Sequence, residues 1–274
     1  MNKQYSAAPS ALFSSLWRHR DLIGQLSRQE IIGRYRGSLL GMGWSFVTPL
    51  LMLLIYTFVF SVVFGARWAG LEKQGKAAFA IVLFLGMSVF SIFSEVVVRS
   101  PRLIVANSNY VKRVVFPLEI LSVVQMANAL FHFLIGMVAW LMAAGFVLGR
   151  LQPTMAFLPM VIAPLVLGTL GVSWLLASIG VFIRDLDQTI TLLVTATLFL
   201  TPIFYPVEAI PPEYRKLVMV NPLAQVVEQA RMVMIDGHLP GLTQLLLSWV
   251  TGLALLFVGY AWFQKTREGF ADVL

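Results

Sequence analysis

The side chains that could do chemistry in this sequence are few, and most stand in apolar surroundings. Glu95 lies near one end of a long apolar run, Glu119 just inside another, and His132 deep within the latter. An ionisable group at mid-bilayer is costly, so each should reach a partner or an interface. Glu95 can reach Arg99 one turn on, and Glu119 can reach the interface. Asn128, one turn before His132, can bond to it. A lone histidine without a carboxylate chain makes a poor proton relay, and a hydrogen-bonded structural role suits it better.

A second group is aromatic. Tyr56, Phe60, Phe64 and Trp68 recur at four-residue steps and therefore wind slowly down one helix face. Phe199, Phe204 and Tyr205 gather around Pro202. Rings of this kind commonly pack against neighbouring helices or form an interfacial belt. A concentrated stripe is also what a sugar-conducting path would use, because flat rings stack on sugar faces without fixing sequence.

Conventional catalytic sets are missing. There is no Gly-x-Ser-x-Gly elbow, no His-Glu-x-x-His and no pair of catalytic carboxylates. The sole Gly-Lys pair, Gly75-Lys76, is followed by Ala77, so a Walker A loop is absent. His19, His132 and His238 are far apart, and there are no cysteines, which argues against a metal site and leaves the redox compartment unread. The expectation is a chain with no metal, no cofactor and no enzymatic activity of its own.

The elements that must position these residues follow from composition. Of 274 residues, 58% are hydrophobic and 12% charged, where soluble domains carry roughly 25% charged residues. Mean hydropathy is +0.82. The bilayer must be the solvent for so many apolar side chains. The runs are long and continuous rather than short and alternating, which selects helices over a β-barrel. The expectation is an all-α polytopic membrane protein with six transmembrane helices, at about 44–66, 77–98, 118–149, 156–183, 189–205 and 241–263. The fifth is short and interrupted by Pro202. Residues 1–43 form a preceding segment, and 44–274 a single transmembrane domain. No secretory signal is visible, so the first run is read as an anchor.

Basic residues set orientation. Arg18, Arg20, Arg28, Arg34 and Arg36 precede the first run, Arg99, Arg102, Lys112 and Arg113 follow the second, and Lys265 and Arg267 follow the sixth. Fewer occupy the opposite loops, which places both termini in the cytoplasm. Flanking charges of this sort also account for the net charge of +7 without nucleic acid.

Three extramembrane segments stand out. Leu12 to Leu40 mixes Leu, Ile, Phe and Trp with arginines, as an amphipathic helix lying in the interface does, and Ser27 with Glu30 has capping-box spacing for a helix start at Ser27. Residues 99–117 are bracketed by Pro101 and Pro117, with Asn107, Ser108 and Asn109 available to cap a short helix. Taken alone, they also fit an ordinary positive-inside loop. Residues 206–240 are too long for a simple turn. Pro211-Pro212 and Asn221-Pro222 divide them into short helices at Glu213–Met219 and Leu223–Ile235, a plausible re-entrant hairpin between spans five and six.

Three of these stretches together resemble the permease subunits of ABC exporters for lipid-linked polysaccharides, the group that exports O-antigen, teichoic acid and some capsules. They are Arg34 to Pro49 (RYRGSLLGMGWSFVTP), Asn109 to Leu121 (NYVKRVVFPLEIL) and Asn221 to Gly237 (NPLAQVVEQARMVMIDG), in the family's order and spacing. The resemblance implies a homodimer in the bacterial inner membrane, paired with two copies of a separate nucleotide-binding ATPase that binds ATP and Mg. It implies that Asn109, Tyr110, Lys112 and Arg113 belong to the loop that couples to that ATPase. Arg34 and Arg36 would meet a lipid pyrophosphate where the substrate enters, beside membrane lipid. Trp44, Tyr56, Phe60, Phe64, Trp68, Phe199, Phe204 and Tyr205 would line the sugar path, and residues 206–240 would form outer gate helices. The Tyr-Arg-Gly-Ser-Leu-Leu-Gly stretch is more similar to O-antigen and teichoic-acid permeases than to capsule permeases. Drug-exporting ABC permeases usually carry a large outer domain or other loop motifs, which this chain lacks.

Overall fold

Proline and glycine divide the chain into helices, and no strand occurs among the described residues. The computed structural model describes residues 8–65, 68, 77–111, 116–149 and 151–274. Two amphipathic helices come first, α1 (Pro9–Arg18) and α2 (Arg20–Tyr35), broken at His19. The Ser27–Glu30 spacing predicted a helix start at Ser27, and the structure corrects this. An N-cap needs extended backbone, whereas α2 runs unbroken through Ser27 and buries it.

A 3-10 turn at Gly41–Gly43 leads into α3 (Trp44–Tyr56), which widens into a π-helical turn over Thr57–Val63. Then come α4 (Ala77–Arg99), a 3-10 turn at Ser100–Arg102, and the one-turn helices α5 (Leu103–Ala106) and α6 (Ser108–Val111). The longest helix is α7 (Ile120–Leu148), followed by α8 (Leu158–Phe182) and α9 (Leu186–Leu200). The short helices α10 (Pro212–Val220) and α11 (Pro222–Arg231) precede α12 (Leu242–Thr266) and the terminal α13 (Phe270–Val273).

Among the described residues, five helical stretches are long and apolar enough to cross a membrane: Gly41–Phe60, Ala77–Ala106, Ile120–Leu148, Pro153–Phe182 and Leu242–Val273. The remaining expected run, the fifth, is the shorter apolar α9, of 15 residues. At 1.5 Å per residue it extends about 22 Å, less than the roughly 30 Å of a hydrocarbon core. Its end has a local cause. Pro202 disfavours helical backbone at Thr201, which is extended at φ −90° and ψ 135°.

The core centres on α4, whose residues Ala78 through Gly86 are all buried. It packs against α7, α8, α9, α11 and the π turn after α3. Trp140 Nε1 on α7 donates to Ile81 O on α4 at 2.9 Å, and Ser100 Oγ meets Ser173 Oγ on α8 at 2.8 Å. Asn221 caps α11 by accepting from the Leu223 amide at 3.0 Å. Leu223, Ala224, Val226, Val227, Ala230 and Arg231 of α11 are buried, against α4, α8 and α12.

The tightest pair is α8 with α12, and glycines set it. A Cβ on Gly171 would stand 2.0 Å from Leu255 O, and one on Gly259 2.0 Å from Gly171 O. Without a hydrophobic drive between helices in lipid, such backbone approach supplies the packing energy. Gly259→Val should therefore force the pair apart and lower the unfolding temperature by at least about 3 °C. Gly145→Ala, with nothing within 4 Å of the added Cβ, should leave it unchanged in the same thermal melt.

Candidate functional site

The aromatic residues converge. Tyr56 and Phe60 have ring centroids 6.5 Å apart, and Phe60 and Phe64 5.8 Å. The π turn that carries Phe60 widens the helix but keeps the three rings in succession. Phe60 stacks on Phe79 of α4 at 5.7 Å and meets Phe204 at 6.1 Å, while Phe204 stacks on Phe199 at 5.6 Å. Trp68 meets Phe79 at 5.7 Å. Residues expected from two distant stretches thus form one cluster, joined by Phe60 with Phe204 and tied to Trp68 through Phe79, which the sequence reading missed. Nothing in the spacing of the second apolar run separates Phe79 from a core phenylalanine. Tyr205 stands beside the cluster, its hydroxyl donating to Phe199 O at 2.9 Å. Trp44, at the start of α3 and exposed, takes part in none of these ring contacts.

A buried cation closes one side of the cluster. The Arg231 guanidinium lies 4.6 Å from the centre of the Trp68 ring, pairs with Glu228, and donates to Ile203 O at 2.9 Å. Its residue exposure is only 3%. Sequence reading missed this group too, although the three-residue spacing of Glu228 and Arg231 was a legible signal. The segment after the Pro202 break is thereby fastened to α11, a tie to which Asn221 Nδ2 adds by donating to Thr201 Oγ1 at 3.2 Å.

A second cluster is ionic. Arg34 on α2 pairs with Glu95 on α4, and its Nη1 lies 3.1 Å from His132 Nδ1 on α7. Tyr35 Oη lies 2.9 Å from His132 Nε2. Nδ1 thus faces both a donor, the Arg34 guanidinium, and an acceptor, the Glu95 carboxylate, while Nε2 faces the Tyr35 hydroxyl. Glu95 Oε1 is 3.4 Å from the same Nδ1, the longer of the two contacts. Arg99 reaches Glu95 at 3.8 Å, as the one-turn spacing implied, and Glu30 at 3.6 Å. Burial is the largest influence on Glu30 and pushes its carboxyl above the usual range, with Arg99 pulling the other way. His132 therefore takes partners from α2 rather than Asn128. Arg34 is held by a carboxylate, whereas Arg36, one residue past α2, is exposed.

A third node ties both ends of the described chain to the segment after α6. Glu119 is buried, 5% exposed. Its carboxylate accepts from Arg267 at 2.8 Å and from Ser15 Oγ at 2.7 Å. Arg267 also donates to Phe116 O at 2.7 Å, and the Phe116 ring stacks on Tyr110 at 4.2 Å. Asn109 is exposed on α6. Lys112 and Arg113 lie outside the described residues.

Residues 21–235 match the family of ABC-2 type transporter membrane domains, a stretch that includes α2 through α11, the aromatic cluster and the ionic cluster. The chain belongs to that family. This ABC-2 chain is 27% identical over 257 residues to an O-antigen export system permease protein of Klebsiella pneumoniae, covering 93% of this chain and 95% of the relative. It is 28% identical over 265 residues to the protein of that name from Myxococcus xanthus, covering 95% and 98%. It is 27% identical over 248 residues to a polysialic acid transport protein of Escherichia coli, covering 88% and 91%. An ABC-2 permease is the membrane-spanning part of its transporter, which agrees with the five long apolar helices.

The ionic cluster yields a direct test. Glu95→Gln leaves Arg34 and Arg99 without their shared carboxylate on α4 and costs about 1–3 kcal/mol. It should loosen α2, seen as greater mobility of a nitroxide at Gln29→Cys, while His132→Gln, which retains hydrogen bonding, should produce a smaller change.

Proposed function

We propose that this ABC-2 permease moves a lipid-linked polysaccharide, O-antigen foremost, across the bacterial inner membrane, powered by ATP hydrolysis in a separate subunit. The observation that carries the reading is the aromatic cluster of Tyr56, Phe60, Phe64, Phe79, Phe199 and Phe204. It lies where the exposed α3 meets the chain after α9. Ring faces bind sugars by stacking and tolerate many sugar sequences, which a repeating polymer requires. The O-antigen export permeases among its relatives support this substrate class. A capsular polysaccharide is the second reading, supported by the polysialic acid transport relative.

In this reading six helices span the membrane, α9 being the short fifth, and both termini are cytoplasmic. The buried α11, capped by Asn221 and packed on α4, α8 and α12, is the inner arm of a re-entrant hairpin whose other arm is α10. Two copies of the chain form the conduit, flanked by the sparsely buried α3 and α9, where only Ser45, Ile190 and Val194 are buried. Two ATPase copies dock at α6 and the following residues, Lys112 and Arg113 included. Arg36 meets the lipid pyrophosphate first. Arg34 joins it through guanidinium N–H groups other than the Nη1 contact with Glu95 and His132.

Deletion should strip surface polysaccharide and accumulate its lipid-linked precursor. A full polysaccharide coat without precursor would refute the assignment. Phe60→Ala combined with Phe204→Ala should cut export by roughly tenfold while the protein inserts normally, reading each ring contact as about 0.5–1.5 kcal/mol. Reversing both Lys112 and Arg113 to Glu should uncouple ATP hydrolysis from export in reconstituted vesicles. Unchanged coupling would remove them from the docking surface.

A further inference from the structure

A pocket of about 360 Å³ lies between α2, the α4–α5 corner, α7 and α9, away from the aromatic cluster. Its size is at the lower end for small-ligand sites. Glu30 lines it from α2, Arg99 and Arg102 from the corner, Gln125 from α7 and Asp187 from α9.

Its charges are balanced. Arg99 stands 3.6 Å from Glu30 and 3.8 Å from Glu95, Arg102 pairs with Asp187, and Arg34 pairs with Glu95. Three guanidiniums thus face three carboxylates. Such a cluster offers no surplus positive charge to a polyanion. What lacks a partner is on the acceptor side. Gln125 Oε1 and Asp187 Oδ1 are buried, with no hydrogen-bond donor among the described residues, and Gln125 as a whole is 2% exposed. Buried acceptors of this kind require donors.

A primary ammonium brings three N–H donors and no acceptor, whereas each guanidinium has five N–H groups to offer an anion. One small group combines the two complements, a phosphodiester joined to a primary amine. We propose that this pocket binds a phosphoethanolamine lipid headgroup. Its ammonium sits on Gln125 Oε1, Asp187 Oδ1 and the Glu30 carboxylate, and its phosphate faces Arg99 and Arg102. The lipid tails run along α9, where Leu192 is 70% exposed. A headgroup so placed bridges α9 to α2 and the α4–α5 corner. The proposal rests on the reading that this end of α4 stands at the headgroup layer of the membrane.

The full chain is purified in mild detergent, exchanged with an equimolar mixture of phosphatidylethanolamine, phosphatidylcholine and phosphatidylglycerol, and its retained lipid is identified by native mass spectrometry. Phosphatidylcholine has the same phosphate but no N–H donor. Wild type should keep phosphatidylethanolamine over phosphatidylcholine by about tenfold, the value of one charge-assisted hydrogen bond. Gln125→Leu and Asp187→Asn should each bring that ratio towards parity. Arg102→Gln should weaken retention of both lipids alike. Parity in wild type, preference for phosphatidylglycerol, or a ratio unmoved by both variants would overturn the site. The wild-type comparison holds even where a variant fails to fold. Because the chain has no cysteine, one nitroxide at Val105→Cys reads depth separately. A label at mid-hydrocarbon overturns the headgroup-level reading and the proposal with it, while a label at headgroup level with wild-type parity overturns the site alone.

Discussion

Hydrocarbon supplies no water to complete a hydrogen bond, and in this protein that constraint governs where every polar group can go. Helices absorb the backbone. Some polar side chains among the apolar helices meet one another, as Ser100 meets Ser173, and others find a backbone carbonyl, as Trp140 finds Ile81. Charged groups are gathered into a few nodes, each joining elements far apart in sequence. Glu119 binds α1 and the residue after α12. Glu95 binds α2, α4 and α7. Arg231 holds the chain after α9 to α11. Removing one member of a node leaves its partner charged and stranded, which is why these few residues fix so much of the arrangement.

Helix placement was largely legible, because long apolar runs bounded by charge admit few interpretations. The break at Pro202 was visible for the same reason, since proline constrains the residue before it whatever the tertiary context. Ser27 shows the opposite case. Its capping spacing was real, but α2 packs on α7 and buries Ser27, and that burial outweighed a local cap. The four-residue aromatic steps correctly placed Tyr56, Phe60 and Phe64 together. They could not reveal Phe79, which is chosen by the approach of α4.

The charge nodes were the least legible part. Glu95 with Arg99 follows from helical spacing. Arg34 with Glu95, and Tyr35 with His132, join residues 61 and 97 positions apart, and no periodicity encodes such pairs. Family membership adds what geometry alone does not, since it relates α2 through α11 to proteins named for exporting polysaccharides. The aromatic cluster and the ionic cluster belong to different ends of α4, with Phe79 near its start and Glu95 near its finish.

The 15-residue α9 has a consequence for the bilayer itself. In the proposed six-span arrangement, a lipid layer meeting a helix of about 22 Å must pinch inward beside it, or give way to protein and water at its ends. In either arrangement the oily layer is at its shallowest next to this helix. A long hydrophilic polymer faces a barrier that falls with the thickness of oil it has to cross. Shortening one helix therefore does work that no single polar side chain could do, by making the membrane locally easier to breach.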